Sequence, residues 1–249
     1  MIPKTIHYCW FGRGEMPELA KKCVASWHKF MPDWEYKLWN EDNFDVNQIT
    51  YTKEAYEARK FAFVSDYVRL WALCKEGGLY MDVDFEVYKP FDNLMQYDAF
   101  AGFEGSKHSP VMMGVVASRP NGEWVREQLE HYQGRHFVKD DGTLDLTTNV
   151  QFITAKMREK GFKQNGKEQD YKDLHVFPVE YFCPRQTTGE YFRTEHTYCE
   201  HLGLGSWSEK DGGWKAKVGS LVGQKNMTRL IKLKRKLISN CSELNCILF

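Results

Sequence analysis

Two carboxylates separated by one residue, Asp82-Val83-Asp84, are a pair suited to a hard divalent cation. Each is an oxygen donor, and in an extended backbone residues i and i+2 point to the same side. Alone, such a pair is most often solvated loop charge. The residues before it, Leu79-Tyr80-Met81, are apolar, so the acids stand where a buried strand emerges. Carboxylates there are costly without a cation or hydrogen-bond donors.

The elements that would position this pair follow from periodicity. Residues 5–11 mix β-branched and aromatic side chains up to Gly12-Arg13-Gly14, predicting a first strand with Trp10 at its exit. Leu19, Cys23, Trp27 and Phe30 recur at helical spacing until Pro32, predicting a helix over 17–30. Residues 35–39 form the next strand. Val64, Val68, Trp71 and Cys74 share one face of a single helix over 55–76, with Gly77 at its C-cap. On that helix Asp66 and Arg69 are neighbours, either an exposed ion pair or groups facing a ligand. Strand character resumes over 79–87.

This alternation over residues 1–90 is that of an α/β sheet with helical crossovers, in which ligands gather at the strands' carboxyl ends. Further on, strands are expected at 99–103 and 111–117, and helices at 121–132 and 148–160. Residues 161–220 read as irregular.

The chain resembles glycosyltransferase family 32, the DXD-motif sugar transferases that include capsular polysaccharide enzymes and yeast outer-chain mannosyltransferases, with glucosylating clostridial toxins as distant relatives. The likeness rests on three features in order: Ser65-Asp66-Tyr67-Val68-Arg69, then Gly77-Gly78, then the strand ending Asp82-Val83-Asp84. Ile2-Pro3-Lys4-Thr5-Ile6-His7 with Trp10-Phe11-Gly12, and His201 with Ser206-Trp207, are similar to the family's opening strand and closing motif. Thr147-Thr148-Asn149-Val150 departs from it, standing where relatives commonly carry Gly-Pro near the sugar.

The resemblance implies an α/β fold of glycosyltransferase A type: one Rossmann-like nucleotide-sugar-binding domain with a mixed sheet and a loop-rich C-terminal part. It implies Mn2+ or Mg2+ held by Asp84, Asp82 and His201, with Asp84 the direct ligand and Asp82 shared with the donor. Trp10 would stack on the base, where an indole contributes about 1 to 3 kcal/mol. Asp66 and Arg69 would face the sugar and phosphates. Ser206 and Trp207 would donate hydrogen bonds to phosphate oxygen. Asp66, Arg69, Asp82 and Asp84 are thus the expected catalytic set. The expected reaction is hexose transfer, with retention, from a nucleotide diphosphate sugar, a uridine one by expectation, to a glycan or lipid-linked acceptor in bacterial surface polysaccharide assembly. A metal-dependent nucleotidyltransferase or phosphohydrolase, and a non-catalytic carbohydrate-binding protein, are the alternatives.

Bulk properties bear on the setting. The 249 residues carry no net formal charge, yet residues 215–249 hold eight Lys or Arg against one acid. Met227, Leu230, Ile231, Leu237 and Ile238 alternate there with basic residues, like a basic amphipathic helix at an anionic membrane surface. Packing on the core is the other expectation for that segment. The expected division is a catalytic domain at 1–213 and a tail at 214–249. No nucleic-acid module accompanies the tail, so nucleic acid is not expected as a partner. Seven scattered cysteines without a Cys-x-x-Cys pair, and a start that does not read as a secretory leader, fit a cytoplasmic protein, peripheral at the inner membrane face.

Overall fold

In the computed structural model, residues 1–105, 110–185 and 190–203 are described. Nine strands lie among them: β1 (Thr5–Cys9), β2 (Glu35–Trp39), β3 (Gly78–Met81), β4 (Phe85–Val87), β5 (Ala99–Phe103), β6 (Val111–Ser118), β7 (Gln169–Tyr171), β8 (Leu174–Phe177) and β9 (Cys199–His201). The helices are α1 (Glu18–Phe30), α2 (Thr50–Glu57), α3 (Phe61–Glu76), α4 (Glu123–Glu130) and α5 (Asn149–Glu159). Seven strands make one sheet in the order β2-β1-β3-β6-β5-β8-β7, and β4 pairs with β9 apart from it. β1 is parallel to β2 and β3, whereas β6 is antiparallel to β3 and β5. The α/β class and the mixed sheet are therefore as expected.

Strand alternation sends side chains into two cores, one on each face of the sheet. Leu79 and Met81 of β3 join Ile6, Trp27 and Phe85 on the α1 side, while Tyr80 joins Val64, Val68 and Trp124 on the α3 side. β3, β5 and β6 are buried along their whole length, as strands covered on both faces must be.

The turn from α3 into β3 requires its two glycines. Gly77 and Gly78 have φ of +68° and +114°, and a Cβ at Gly78 would lie 2.6 Å from the Thr5 carbonyl oxygen. His7 seals the turn: Trp39 Nε1 donates to its Nδ1 at 3.1 Å, so its Nε2–H donates to the Gly77 carbonyl at 2.7 Å. Burial lowers the His7 pKa below its ordinary value, in keeping with that neutral ring.

Three expectations are corrected. The single helix over 55–76 is two, because Arg59 takes the left-handed conformation at φ 56° and the Lys60 N–H returns to the Ala55 carbonyl, closing α2 with a Schellman-type cap. The strand over 79–87 is broken at the acidic pair. The span 161–220, expected to be irregular, holds β7, β8 and β9 within its described part. Cys9, Cys23, Cys74 and Cys199 are buried free thiols, and Cys183 is buried as well. Among the described residues no helix is long and apolar enough to cross a membrane.

Candidate active site

Helix α3 turns Asp66 and Arg69 inward. They are 0% and 2% exposed, which excludes the exposed ion pair. Arg69 Nη2 donates to Asp66 Oδ1 at 3.0 Å. Its Nη1 donates to the Met113 carbonyl at 2.6 Å and to Asp82 Oδ2 at 3.3 Å, and the guanidinium lies 4.5 Å from the Tyr80 ring centre. The second Asp66 oxygen accepts the Asn149 N–H at 3.4 Å, at the start of α5, where a helix terminus favours negative charge. Burial pushes the Asp66 carboxyl up to about 7 against the pull of Arg69. Burial also opposes the Arg69 charge, but Asp82, Tyr80 and Asp66 outweigh it and hold the guanidinium protonated.

β3 ends at Met81, and the Asp82 N–H makes one further bond, to the Gly114 carbonyl of β6 at 2.8 Å. The chain then turns, with the Phe85 N–H bonded to the Asp82 carbonyl at 3.2 Å, and leaves the main sheet. Consequently the two carboxylates do not share a strand face. Asp82 points towards α3, accepting from Tyr80 Oη at 2.8 Å as well as from Arg69. Gly114 leaves room for this, since a Cβ there would sit 2.9 Å from Asp82 Oδ2. Burial raises the Asp82 pKa, with Arg69 opposing.

Asp84 instead meets His201, with Oδ2 and Nε2 3.1 Å apart. The register of the small sheet sets this contact: Phe85 pairs with His201, their rings stack at 4.7 Å, and the Leu202 N–H bonds the Asp84 carbonyl at 2.9 Å. Burial lowers the His201 pKa, but the hydrogen bond and charge of Asp84 outweigh it and the net shift is upward.

Trp10 follows β1 as Asp82 follows β3, and because these strands are parallel neighbours both residues emerge at the same end of the sheet. The Trp10 side chain is half-buried, with its Nε1 donating to the Gly14 carbonyl at 2.6 Å. Ser206, Trp207, the boundary at residue 213 and the basic segment lie outside the described residues.

The donor set tests whether a hard cation fits. Asp84 and His201 supply one carboxylate and one imidazole in contact with each other, a combination suited to manganese or magnesium. Asp82 is engaged by Tyr80 and Arg69, and among the described residues no three His, Cys, Asp or Glu side chains form a metal-binding group. The pair fits a cation that takes its remaining ligands from phosphate oxygens and water, as magnesium commonly does.

One acid was missed from sequence. Glu104 directly follows β5, partly exposed, within electrostatic reach of His201, Asp82 and Arg69, and burial lifts its carboxyl to about 7. An acid directly after a predicted strand at 99–103 was the available signal.

Residues 17–101 match the family described as the glycosyltransferase sugar-binding region containing a DXD motif, a span that includes Asp66, Arg69, Asp82 and Asp84. This segment resembles that sugar-binding region. The chain is 32% identical over 83 residues to Glucan organizing enzyme 1 of Cryptococcus neoformans var. grubii, covering 30% of this chain and 23% of that protein. It is 30% identical over 139 residues to Inositol phosphoceramide mannosyltransferase 2 of Schizosaccharomyces pombe, covering 52% of this chain and 39% of the relative. It thus spans well under half the length of these curated relatives. Among solved structures, the PaToxG glycosyltransferase is similar over 64% of this chain and 70% of its own, at 17% identity and a TM-score of 0.47. Within the sugar-binding region, the residues that define the DXD motif thus divide between two settings: Asp82 belongs to the buried Arg69 network and Asp84 to the His201 pair.

Proposed function

We propose that this chain is a metal-dependent glycosyltransferase of glycosyltransferase A type, moving a hexose from a nucleotide diphosphate sugar to a hydroxyl acceptor with retention of configuration. The single observation that carries this reading is the meeting of Asp84 and His201 at 3.1 Å beside the Arg69-held Asp82. Asp84 and His201 would hold Mn2+ or Mg2+, whose chemistry is to neutralise charge on the diphosphate. Arg69 keeps a permanent positive charge at the same end of the sheet, adding electrostatic stabilisation as the sugar–phosphate bond breaks. Asp82 accepts hydrogen bonds from sugar or ribose hydroxyls, and Trp10 offers its face to the base; Asp66, fully buried with both oxygens taken, positions Arg69 rather than facing the sugar as expected. Ser206 and Trp207 would donate to the diphosphate. In the transfer the acceptor oxygen bonds to the anomeric carbon, the carbon–oxygen bond to phosphate breaks, and the hydroxyl proton passes to the departing phosphate.

A uridine donor is our choice of nucleotide. The relatives widen the choice of sugar, since one is by name a mannosyltransferase acting on inositol phosphoceramide, which also supports a lipid-linked acceptor. We place the protein in bacterial capsular or surface polysaccharide assembly, in the cytoplasm and peripheral to the membrane through its basic C-terminal segment. Cosedimentation with anionic vesicles that is unchanged on deleting residues 224–249 would remove the membrane part of the proposal.

The test of the reaction is a screen of uridine and guanosine diphosphate sugars with manganese, reading nucleoside diphosphate release. Release of nucleoside monophosphate and sugar phosphate would instead mark a phosphohydrolase.

A further inference from the structure

The reading above assigns no role to Glu104. Its position comes from an irregularity in the sheet. β5 and β6 pair regularly from Ala99 with Ser118 to Ala101 with Val116, but the next pair is Phe103 with Val111. β5 advances from Ala101 to Phe103 while β6 runs from Val116 to Val111, so the strands part. In the parted stretch the Met113 carbonyl accepts from Arg69, while on its other edge β6 continues its ladder with β3, the Gly114 carbonyl accepting the Asp82 N–H. Such irregularities re-aim side chains beside active sites. Beyond the gap the ladder closes again, with the Glu104 N–H bonded to the Pro110 carbonyl at 3.0 Å.

Glu104 is thereby fixed at the end of β5 that faces the site, its charge coupled to His201, Asp82 and Arg69. Among the described residues its carboxylate has neither a hydrogen-bond donor nor an ion-pair partner, although Asp66, Asp82 and Asp84 have theirs. A partly buried carboxylate beside Asp82 is repelled by it and takes its hydrogen bonds from donors outside this set. Strand order shows what could supply them. Trp10 stands after β1, Asp82 after the adjacent β3, and Glu104 after β5, across β6. If the base is at Trp10 and the diphosphate beside Asp82 and Asp84, the next group along the donor is the sugar.

We propose that Glu104 is a sugar-binding residue of the donor site, its carboxylate accepting hydrogen bonds from hydroxyls of the transferred hexose. This rests on the glycosyltransferase reading. It also predicts a specificity device, because a donor lacking the hydroxyl in question leaves the carboxylate unpaired where the sugar would cover it.

The experiment compares Glu104→Gln with the wild type by calorimetry in manganese. The titrants are uridine and guanosine diphosphate, and the glucose, galactose, N-acetylglucosamine and mannose derivatives of the matching nucleotide. For the preferred sugar nucleotide we expect about tenfold weaker binding, the scale of one charge-assisted hydrogen bond, with the parent diphosphate unchanged within about twofold. Glu104→Asp, which keeps the charge but shortens the reach, should behave like Glu104→Gln. If Glu104 only adds negative charge, Glu104→Gln will tighten the diphosphate and the sugar nucleotide equally, overturning the proposal. Equal weakening of both would place Glu104 with the phosphates, and no change in either would remove it from the site. A wild type that binds none of these titrants would refute the glycosyltransferase reading itself, whatever the variants do.

Discussion

Asp84 and His201 are 117 residues apart in the chain and 3.1 Å apart in the fold, and this contact exists because β4 leaves the main sheet at the acidic pair to meet β9. Asp82, two residues earlier, is held by Arg69 and Tyr80 instead. Substitutions at the two acids should therefore have different signatures.

Asp84→Ala and His201→Ala should weaken manganese-dependent nucleoside diphosphate binding far more than Asp82→Ala does, with turnover by Asp84→Ala falling by about 100-fold or more. Calorimetry across a manganese series distinguishes them. Equal loss of manganese affinity in Asp82→Ala and Asp84→Ala would contradict the division of roles.

Arg69→Ala should destabilise the fold by about 3 to 5 kcal/mol, because Asp66 is left as a buried carboxylate without its partner. Arg69→Lys should recover little. A lysine ammonium cannot reproduce the planar fork that meets Asp66, Asp82 and the Met113 carbonyl at once. Urea unfolding of the three proteins measures this.

Gly78→Ala should cost at least about 2 kcal/mol, since the new methyl meets the Thr5 carbonyl at a backbone angle unfavourable to alanine. Gly161→Ala provides the comparison, with a positive φ of +95° but open space around it. The thermal midpoint should fall more for Gly78→Ala.

The pH dependence of stability has a defined acidic component at Glu54. Burial raises its pKa, but the Val138 and Phe137 N–H groups and the His136 ring outweigh it, so the net shift is below the ordinary 4.5. A depressed carboxylate pKa means the unfolded chain binds the proton more readily. The stabilisation is therefore present above about 4.5 and is lost as pH falls through the lower, folded value. Glu54→Gln should flatten the stability curve in that acidic window while lowering it near neutrality, as measured by urea unfolding at several pH values.

Much of the arrangement was legible in the sequence where local chemistry is strong. Gly77-Gly78 marked a turn that only glycine can make, and the apolar run before Asp82 marked a buried strand end. The break at Arg59 was not legible, because a left-handed helix cap is usually written with glycine and here carries an arginine. The turn at Val83-Asp84 was hidden by residues of high strand propensity on both sides. β7, β8 and β9 are three or four residues long, too short for periodicity to declare them, and β8 gains its place only by pairing with β5. Asp66 and Arg69 have the spacing of a surface ion pair. Their burial depends on Met113 and Asn149 arriving from distant strands and helices, which no local pattern contains.

The most direct test of the central claim is nucleoside diphosphate release from a sugar nucleotide panel in the presence of manganese. The account predicts release from at least one sugar nucleotide, lost on chelation and reduced by about 100-fold or more in Asp84→Asn. Release from none, or release that persists unchanged in Asp84→Asn or after chelation, would contradict it.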